Sequence, residues 1–264
     1  MRVILLNNSE YWGKRIANNT WRIYNSLEEK NIALLEMYQE ASLEIKNELY
    51  RLVEKINKGK EPTRSDFYKF NRLTNLNKNF EEIIKGLTLD IEQFYIESNL
   101  EGIANVYNNI MLTMEVDDFS LPNKKAMEKM LNTSWEGRNF SESLWENSQK
   151  LAMNLNDILV NGITQGKTIT EMAVQLNNEM NKGFNVCHRL VRTETMHTLN
   201  ESTFRGYADA GCKKVQYWAA EDERVCERCG PKHGEKYDID KRPILPLHAN
   251  CRCTYLPVIE GIEK

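Results

Sequence analysis

Cys226-Glu227-Arg228-Cys229 and His248-Ala249-Asn250-Cys251-Arg252-Cys253 decide how the last quarter of this chain folds. Eighteen residues separate the two groups, which matches the zinc-ribbon spacing C-x2-C…[CH]-x2-C. Zinc takes thiolate and imidazole in a tetrahedral shell, and a C-x2-C turn lets two sulfurs converge on one ion. Five candidate ligands compete for four positions. Cys226, Cys229, His248 and Cys251 are favoured, with Cys253 as the substitute, and the competing reading is two disulfides or a set of free thiols. On the metal reading this stretch is a small, metal-stapled unit.

The rest of the cysteine usage supports reduced thiols. Of the six cysteines, only Cys187 and Cys212 lie outside the two groups, and both read as packing residues on helical or helix-end positions. The N-terminal run Met1-Arg2-Val3-Ile4-Leu5-Leu6 turns polar at Asn7-Asn8-Ser9, far short of a secretory core. No stretch approaches the length needed to span a bilayer, so no membrane role is expected. A cytosolic chain with clustered Cys more often binds metal than forms disulfides.

The 264 residues suffice for one large or two modest domains. Hydrophobic residues make up 41% and charged residues 28%, a balance suited to long helical structure with much exposed surface. Residues 187–264 carry 13 Lys+Arg against 12 Asp+Glu, hence +1, and the remainder carries 22 against 26, hence −4. Neither part has the basic excess of a dedicated duplex-DNA binder.

Working back towards the N-terminus, periodicity predicts helix almost throughout. Ile16, Ile23, Leu27, Leu34, Tyr38, Ile45, Leu49, Leu52 and Ile56 follow steps of three, four and seven, the stripe of one long helix with a coiled-coil seam. Gly59 and Pro62 stop it, and Thr63-Arg64-Ser65-Asp66 resembles a capping box opening a second helix. Phe67, Phe70, Leu73, Phe80, Ile83, Ile84 and Leu87 line its core face. A third run carries Ile91, Phe94, Tyr95, Ile103, Tyr107, Ile110 and Met114. Short connections between long helices favour antiparallel neighbours, so residues 1–115 are expected to form a helical hairpin or bundle.

Val116 to Asn123 breaks the period and marks a boundary, with 116–264 as the second domain. A helix through Leu144, Trp145, Leu151, Leu155, Ile158 and Leu159 is expected to end at Gly162. Thr168-Ile169-Thr170-Glu171 caps the next, which is expected to end at Gly183, and a further helix runs through Arg192 and Glu194 to Gly211. From Lys213 the period becomes two: Val215, Tyr217 and Ala219 alternate with Gln216 and Trp218, a strand. Tyr255–Ile259 reads as a closing strand. The predicted fold class is therefore mainly α, with a small α+β C-terminal lobe and a short antiparallel sheet.

Several motifs fail on inspection. Gly162-Ile163-Thr164-Gln165-Gly166-Lys167-Thr168 is one residue short of a P-loop and follows a helix rather than a strand, so it reads as a helix-to-helix turn. A zinc deaminase needs His-x-Glu ahead of Pro-Cys-x-x-Cys, but His197 precedes Thr198-Leu199 and Val225 precedes Cys226. Arg192, Thr193, Glu194 and His197 share one helical region and read as a helix arginine paired with a carboxylate and packed against the metal-bound lobe. His233 reads as an extra ligand or a turn residue, and His188 as facing solvent or a neighbouring helix.

Taken together, Arg192-Thr193-Glu194, Gly211, Trp218, Asp222 through Cys229, Gly234 and Pro246 through Cys253 resemble the phage minor head protein family. That family is also called Mu F-like or phage head morphogenesis. Tyr11-Trp12-Gly13-Lys14-Arg15 and Trp135-Glu136-Gly137-Arg138-Asn139-Phe140-Ser141 look like further signatures, extending the resemblance over nearly the whole chain. Ala249 departs from the proline usual after the histidine, which loosens the turn but spares the ligands. The sequence ends soon after the metal motif, so no fused toxin or nuclease domain is expected.

The resemblance implies a virion component rather than an enzyme: a minor protein of tailed-phage heads, present in few copies and associated with the portal protein. Its implied roles are head assembly and the packaging or delivery of DNA, in the capsid interior or portal vertex, after assembly in the host cytoplasm. Arg192, Glu194 and Trp218 would be structural, and the zinc would be structural too. Two rivals remain. A zinc-ribbon DNA-binding module would use Arg224, Arg228, Lys232 and Arg252, within a flank that also holds Lys236, Lys241 and Arg242 but is diluted by Glu221, Asp222, Glu223 and Glu227. A metal-dependent hydrolase would need an open coordination position and a nearby general base, and neither His-Glu-x-x-His nor a paired acidic cluster adjoins the ligands.

Overall fold

A computed structural model describes residues 8–56, 62–135, 137–220 and 227–259, a mainly helical chain with one three-stranded antiparallel sheet in its C-terminal lobe. Helix α1 (Asn8–Trp12), a π-helical turn (Gly13–Ala17) and α2 (Asn18–Lys30) lead into α3 (Ile32–Ile56). The stripe expected from Ile16 is buried, with Ile16, Leu27, Leu34, Tyr38, Ile45 and Leu49 all in the core. It is not one helix. The ladder is interrupted at Asn31, whose carbonyl accepts from Leu34 N at 3.0 Å to open a new first turn. Asparagine competes with the helical backbone for hydrogen bonds and so favours such ends.

Gly59 lies outside the described residues, but the next start signal is visible. Asp66 accepts from Thr63 N at 3.0 Å and from Thr63 Oγ1 at 2.6 Å, and α4 (Arg64–Tyr68) follows. A 3-10 turn (Lys69–Asn71) then joins it to α5 (Arg72–Thr113). Within that turn Phe70 and Asn71 have φ of 58° and 55°, the left-handed region that costs an L-residue about 1–2 kcal/mol. The reversal throws Phe70 outward, so it is 82% exposed instead of joining the core stripe.

The runs expected as separate second and third helices are one, because nothing between Leu87 and Ile91 breaks α5. Thr88 returns its hydroxyl to Ile84 O at 2.7 Å and stays in register. Asn123 accepts from Ala126 N to cap α6 (Lys124–Leu131), and α7 (Phe140–Gln165) and α8 (Ile169–Asp209) follow. Gly162 and Gly183 do not end helices. A Cβ on Gly162 would lie 2.6 Å from the Met172 side chain, and one on Gly183 would lie 2.8 Å from Leu151, so both glycines serve close packing. The stop after α7 is Gly166 (φ 68°), and Thr168 with Glu171 forms the expected box for α8.

The sheet runs β2 (Lys236–Asp238), β1 (Lys214–Trp218), β3 (Thr254–Val258), with Val215 opposite Tyr237 and Tyr217 opposite Tyr255. The two five-residue strands, central β1 and outer β3, were legible; β2, only three residues, was not. Gln216 is 7% exposed, although alternation places it on the solvent face. Ser9 donates to its Oε1 at 2.8 Å and Trp218 packs on Gly13, so the N-terminal turns cover that face. The other face carries Tyr217 and Tyr255 towards Phe204 of α8.

Contacts divide the chain into two compact units. The first draws on residues 1–30, 95–140 and 189–264 and contains the sheet. The second draws on 31–94 and 141–188, and its described elements are all helical. In the second, Ser42 donates to Asn177 at 3.1 Å, Thr88 to Ser148 at 2.8 Å, and Tyr38 meets Phe184 edge-on. Cys187 is buried there as a packing residue and His188 stacks on Phe184. Among the described residues, no helix is long and apolar enough to cross a membrane.

Candidate metal centre

The thiol-bearing segments are positioned by local turn chemistry. Cys229 precedes a 3-10 turn (Gly230–Lys232), with Pro231 supplying a preset φ, and its carbonyl accepts from Lys232 N at 3.1 Å. Gly234, at φ 86°, returns the chain so that its N–H meets Tyr217 O at 2.9 Å. On the far side, Cys251 N donates to His248 O at 3.1 Å, with Asn250 at φ 61°. Asparagine tolerates that conformation, which lets the His-x2-Cys turn close even with Ala249 in place of proline.

These turns bring Cys229, Cys251 and Cys253 together, with all three sulfurs within 4.8 Å of one another and each residue buried. Cys229 Sγ lies 3.8 Å from Cys251 Sγ and 3.2 Å from His248 Nε2. The five described cysteines are free thiols, and 3.8 Å is far beyond a disulfide bond of about 2.05 Å. Cys226 lies outside the described residues, as do Arg224, Glu221, Asp222 and Glu223. Cys253, expected only as the substitute, joins Cys229 and Cys251 in the cluster, whereas His248 reaches Cys229 but is not one of the three. Buried soft donors of this kind suit a thiophilic ion such as zinc.

The electrostatics are those of crowded thiols. Hydrogen bonding from Cys251 draws Cys253 down to about 5, while that same bond and burial push Cys251 up. Tyr217 extends from β1 beside Cys229 and Cys253, and burial with those sulfurs raises its hydroxyl far above the ordinary phenol range.

One face of α8 holds the loop by its main chain. Asn250 N donates to Thr193 Oγ1 at 3.0 Å, Asn200 Nδ2 donates to Cys253 O at 3.1 Å, and Tyr207 OH donates to Tyr255 O at 2.8 Å. His197 Nδ1 lies 2.8 Å from Leu245 O, which makes Nδ1 the protonated nitrogen, since a carbonyl only accepts. The ring stacks on Trp135 at 4.8 Å, and burial lowers its pKa. From the other side Trp21 Nε1 donates to Arg252 O at 2.9 Å and Asn8 Nδ2 to Pro257 O at 3.1 Å. Asn200 and Trp21 are absent from the residues the sequence singles out, and Tyr217 is there only as a strand residue, not as a neighbour of the thiols. Polar Thr193, His197 and Asn200 at helical spacing were the available signal.

The other named residues serve packing and ion pairing. Arg192 Nε lies 3.1 Å from Glu28 and 3.1 Å from Tyr24 OH, so its carboxylate partner comes from α2. Glu194 accepts from Trp135 Nε1 at 3.2 Å. Trp218 also meets His233 at 4.4 Å, and His233 closes the 3-10 turn. Of the basic flank, Arg228 is exposed, while Lys232 and Arg252 are half-buried. Arg242 is withdrawn from it: the guanidinium lies over Phe204 and 3.4 Å from Glu201.

Residues 153–256 match the family described as phage Mu protein F like protein, a span that takes in α8, β1, β2, the start of β3 and the thiol cluster. A curated relative, the NAD(+)–arginine ADP-ribosyltransferase of Enterococcus faecalis, is 25% identical over 263 residues, covering 89% of this chain. The chain spans about half of that relative's length (53%). No solved structure matches the chain.

Proposed function

We propose, with residues 153–256 as a phage Mu F-like head-morphogenesis segment, that this chain is a minor structural protein of a tailed-phage head. The observation that carries the reading is the coincidence of that match with the converged thiols of Cys229, Cys251 and Cys253. In this role it associates with the portal protein and other head proteins, and it acts in assembly and in the packaging or delivery of DNA. The helices of 1–115 provide the docking surface, since long amphipathic helices offer broad contact. The lobe of 116–264 carries the structural zinc. Cys229, Cys251 and Cys253 hold it, with the fourth position taken by Cys226 or His248. When bound, the ion contributes its binding free energy to folding of the lobe.

A structural role is favoured over catalysis. Three buried thiols with two further candidates suit a closed site, whereas a catalytic zinc keeps an open position. The activity named for the E. faecalis relative is not carried over, because the likeness is weak and spans about half of that protein. Direct DNA contact through Arg224, Arg228, Lys232 and Arg252 is the second reading, weakened by the withdrawal of Arg242 into the lobe.

Co-expression with the portal protein of the same operon tests the first reading. The two should co-purify, and particles lacking this chain should be defective in assembly, infectivity or DNA delivery. Normal particles and no portal association would overturn it. A steep loss of DNA affinity with salt, from counterion release at phosphate contacts, would instead favour the second reading.

A further inference from the structure

Two surface features of the all-helical unit are complementary. The first is the tip between α4 and α5. Phe70 is 82% exposed there, Tyr68 is 49% exposed, and the Arg72 guanidinium lies over the Phe70 ring at 5.3 Å. Segment 64–72 carries Arg64, Lys69 and Arg72 against Asp66 alone, a net +2. A bulky apolar ring held out by a left-handed backbone gains nothing from burial within its own chain.

The second is a groove of about 630 Å³ between α3 and α5. Its floor is apolar, from Met37, Ile83 and Leu87, and Gly86 leaves it open, since a Cβ there would meet nothing within 4 Å. Its rim is acidic. Glu40, Glu44, Glu82 and Asp90 line it, while Arg51 is paired with Glu48 at 2.8 Å. Glu82 is 4.0 Å from Lys78; Glu40, Glu44 and Asp90 make no ion pair among the described residues. An apolar floor inside an acidic rim fits an aromatic knob flanked by Arg and Lys.

The knob cannot enter its own groove. From Arg72 to Gly86 is fourteen residues of α5, or about 20 Å at 1.5 Å per residue. We propose that Phe70 of one copy of this chain docks in the α3–α5 groove of a second copy. Different patches meet in that contact, so the association is head-to-tail and builds a ring if its rotation closes. Each copy presents one knob and one groove. The inference stands independently of the phage-head reading, because it uses only the surfaces of one unit.

Sedimentation of the full-length chain across a concentration series tests it. Wild-type mass should rise with concentration and fall back with salt, since the charged rim is screened beyond about 10 Å at 0.1 M. Phe70→Ala should weaken association at least ~10-fold, as loss of a central interface aromatic does. Glu44→Lys with Glu82→Lys should do the same. All three positions are exposed, and unchanged circular dichroism would confirm intact folds. The decisive arm mixes the two variants: the intact groove of one should take the intact knob of the other and yield a mixed dimer that grows no further. A wild-type chain monomeric at every concentration would overturn the proposal, as would variants that associate like wild type or that fail to combine with each other.

Discussion

Asn200 donates through Nδ2 to the carbonyl oxygen of Cys253 at 3.1 Å and to Met196 O at 3.0 Å, tying the middle of α8 to the main chain that carries the last thiol. Asn200 is fully buried. Replacing it with Leu strands the Cys253 carbonyl away from water, which costs about 1–3 kcal/mol. Chemical denaturation should register that loss, and metal should dissociate faster from the variant. Equal stability and equal metal retention would show that the tether is incidental.

Purified protein should carry about one zinc per chain, as a single tetrahedral Cys/His site requires. Chelation should lower the melting temperature by an amount on the order of 10 °C, the scale expected when tight binding to the folded state is withdrawn. Cys229→Ser should mimic chelation. Metal-free protein with an unchanged melting temperature would remove the ion from the account.

Leu34 and Leu49 of α3 are fully buried. Leu34→Ala or Leu49→Ala should each destabilise the all-helical unit by about 2–5 kcal/mol through lost burial and the cavity left behind. Urea midpoints unmoved within error would contradict that packing.

Stability should also depend on His197. Its pKa is lowered in the fold by burial, with Arg242 also lowering it, while the Leu245 carbonyl and Glu201 pull the other way. The unfolded chain therefore binds the proton more readily, and stability rises with pH. The contribution is present above the unfolded value of about 6.5 and is lost as pH falls below it. A His197→Gln variant should show a flatter pH dependence between about pH 7 and 5. Parallel pH profiles for the two proteins would refute this role.

Periodicity revealed which side chains are buried better than where helices stop. Leu34, Leu49, Ile84 and Leu155 were legible because their spacing is set by one helical turn. Gly162 and Gly183 misled because a glycine needed for close approach looks, in a linear text, like one needed for a left-handed stop. Phe70 misled because its exposure follows from a backbone reversal that no apolar pattern encodes. The approach of Cys229 to Cys251 was legible from spacing, whereas Cys253 stood only as the substitute. Trp21 and Asn200 were not, because their partners are set by the tertiary path of the chain.

The bond from Trp21 to the Arg252 carbonyl spans 231 residues of sequence. On the ribosome, at ~5–20 residues per second, the α2 indole waits on the order of 10–50 seconds for the strand-side segment it will cover. Through that interval the part of the α1 and α2 surface that the C-terminal segment covers has no final seat, although Leu27 can already pack at Gly102 of α5. Excising the first thirty residues to obtain a smaller protein would therefore remove part of the lobe's own wall, and isolating the last quarter would leave that wall unbuilt.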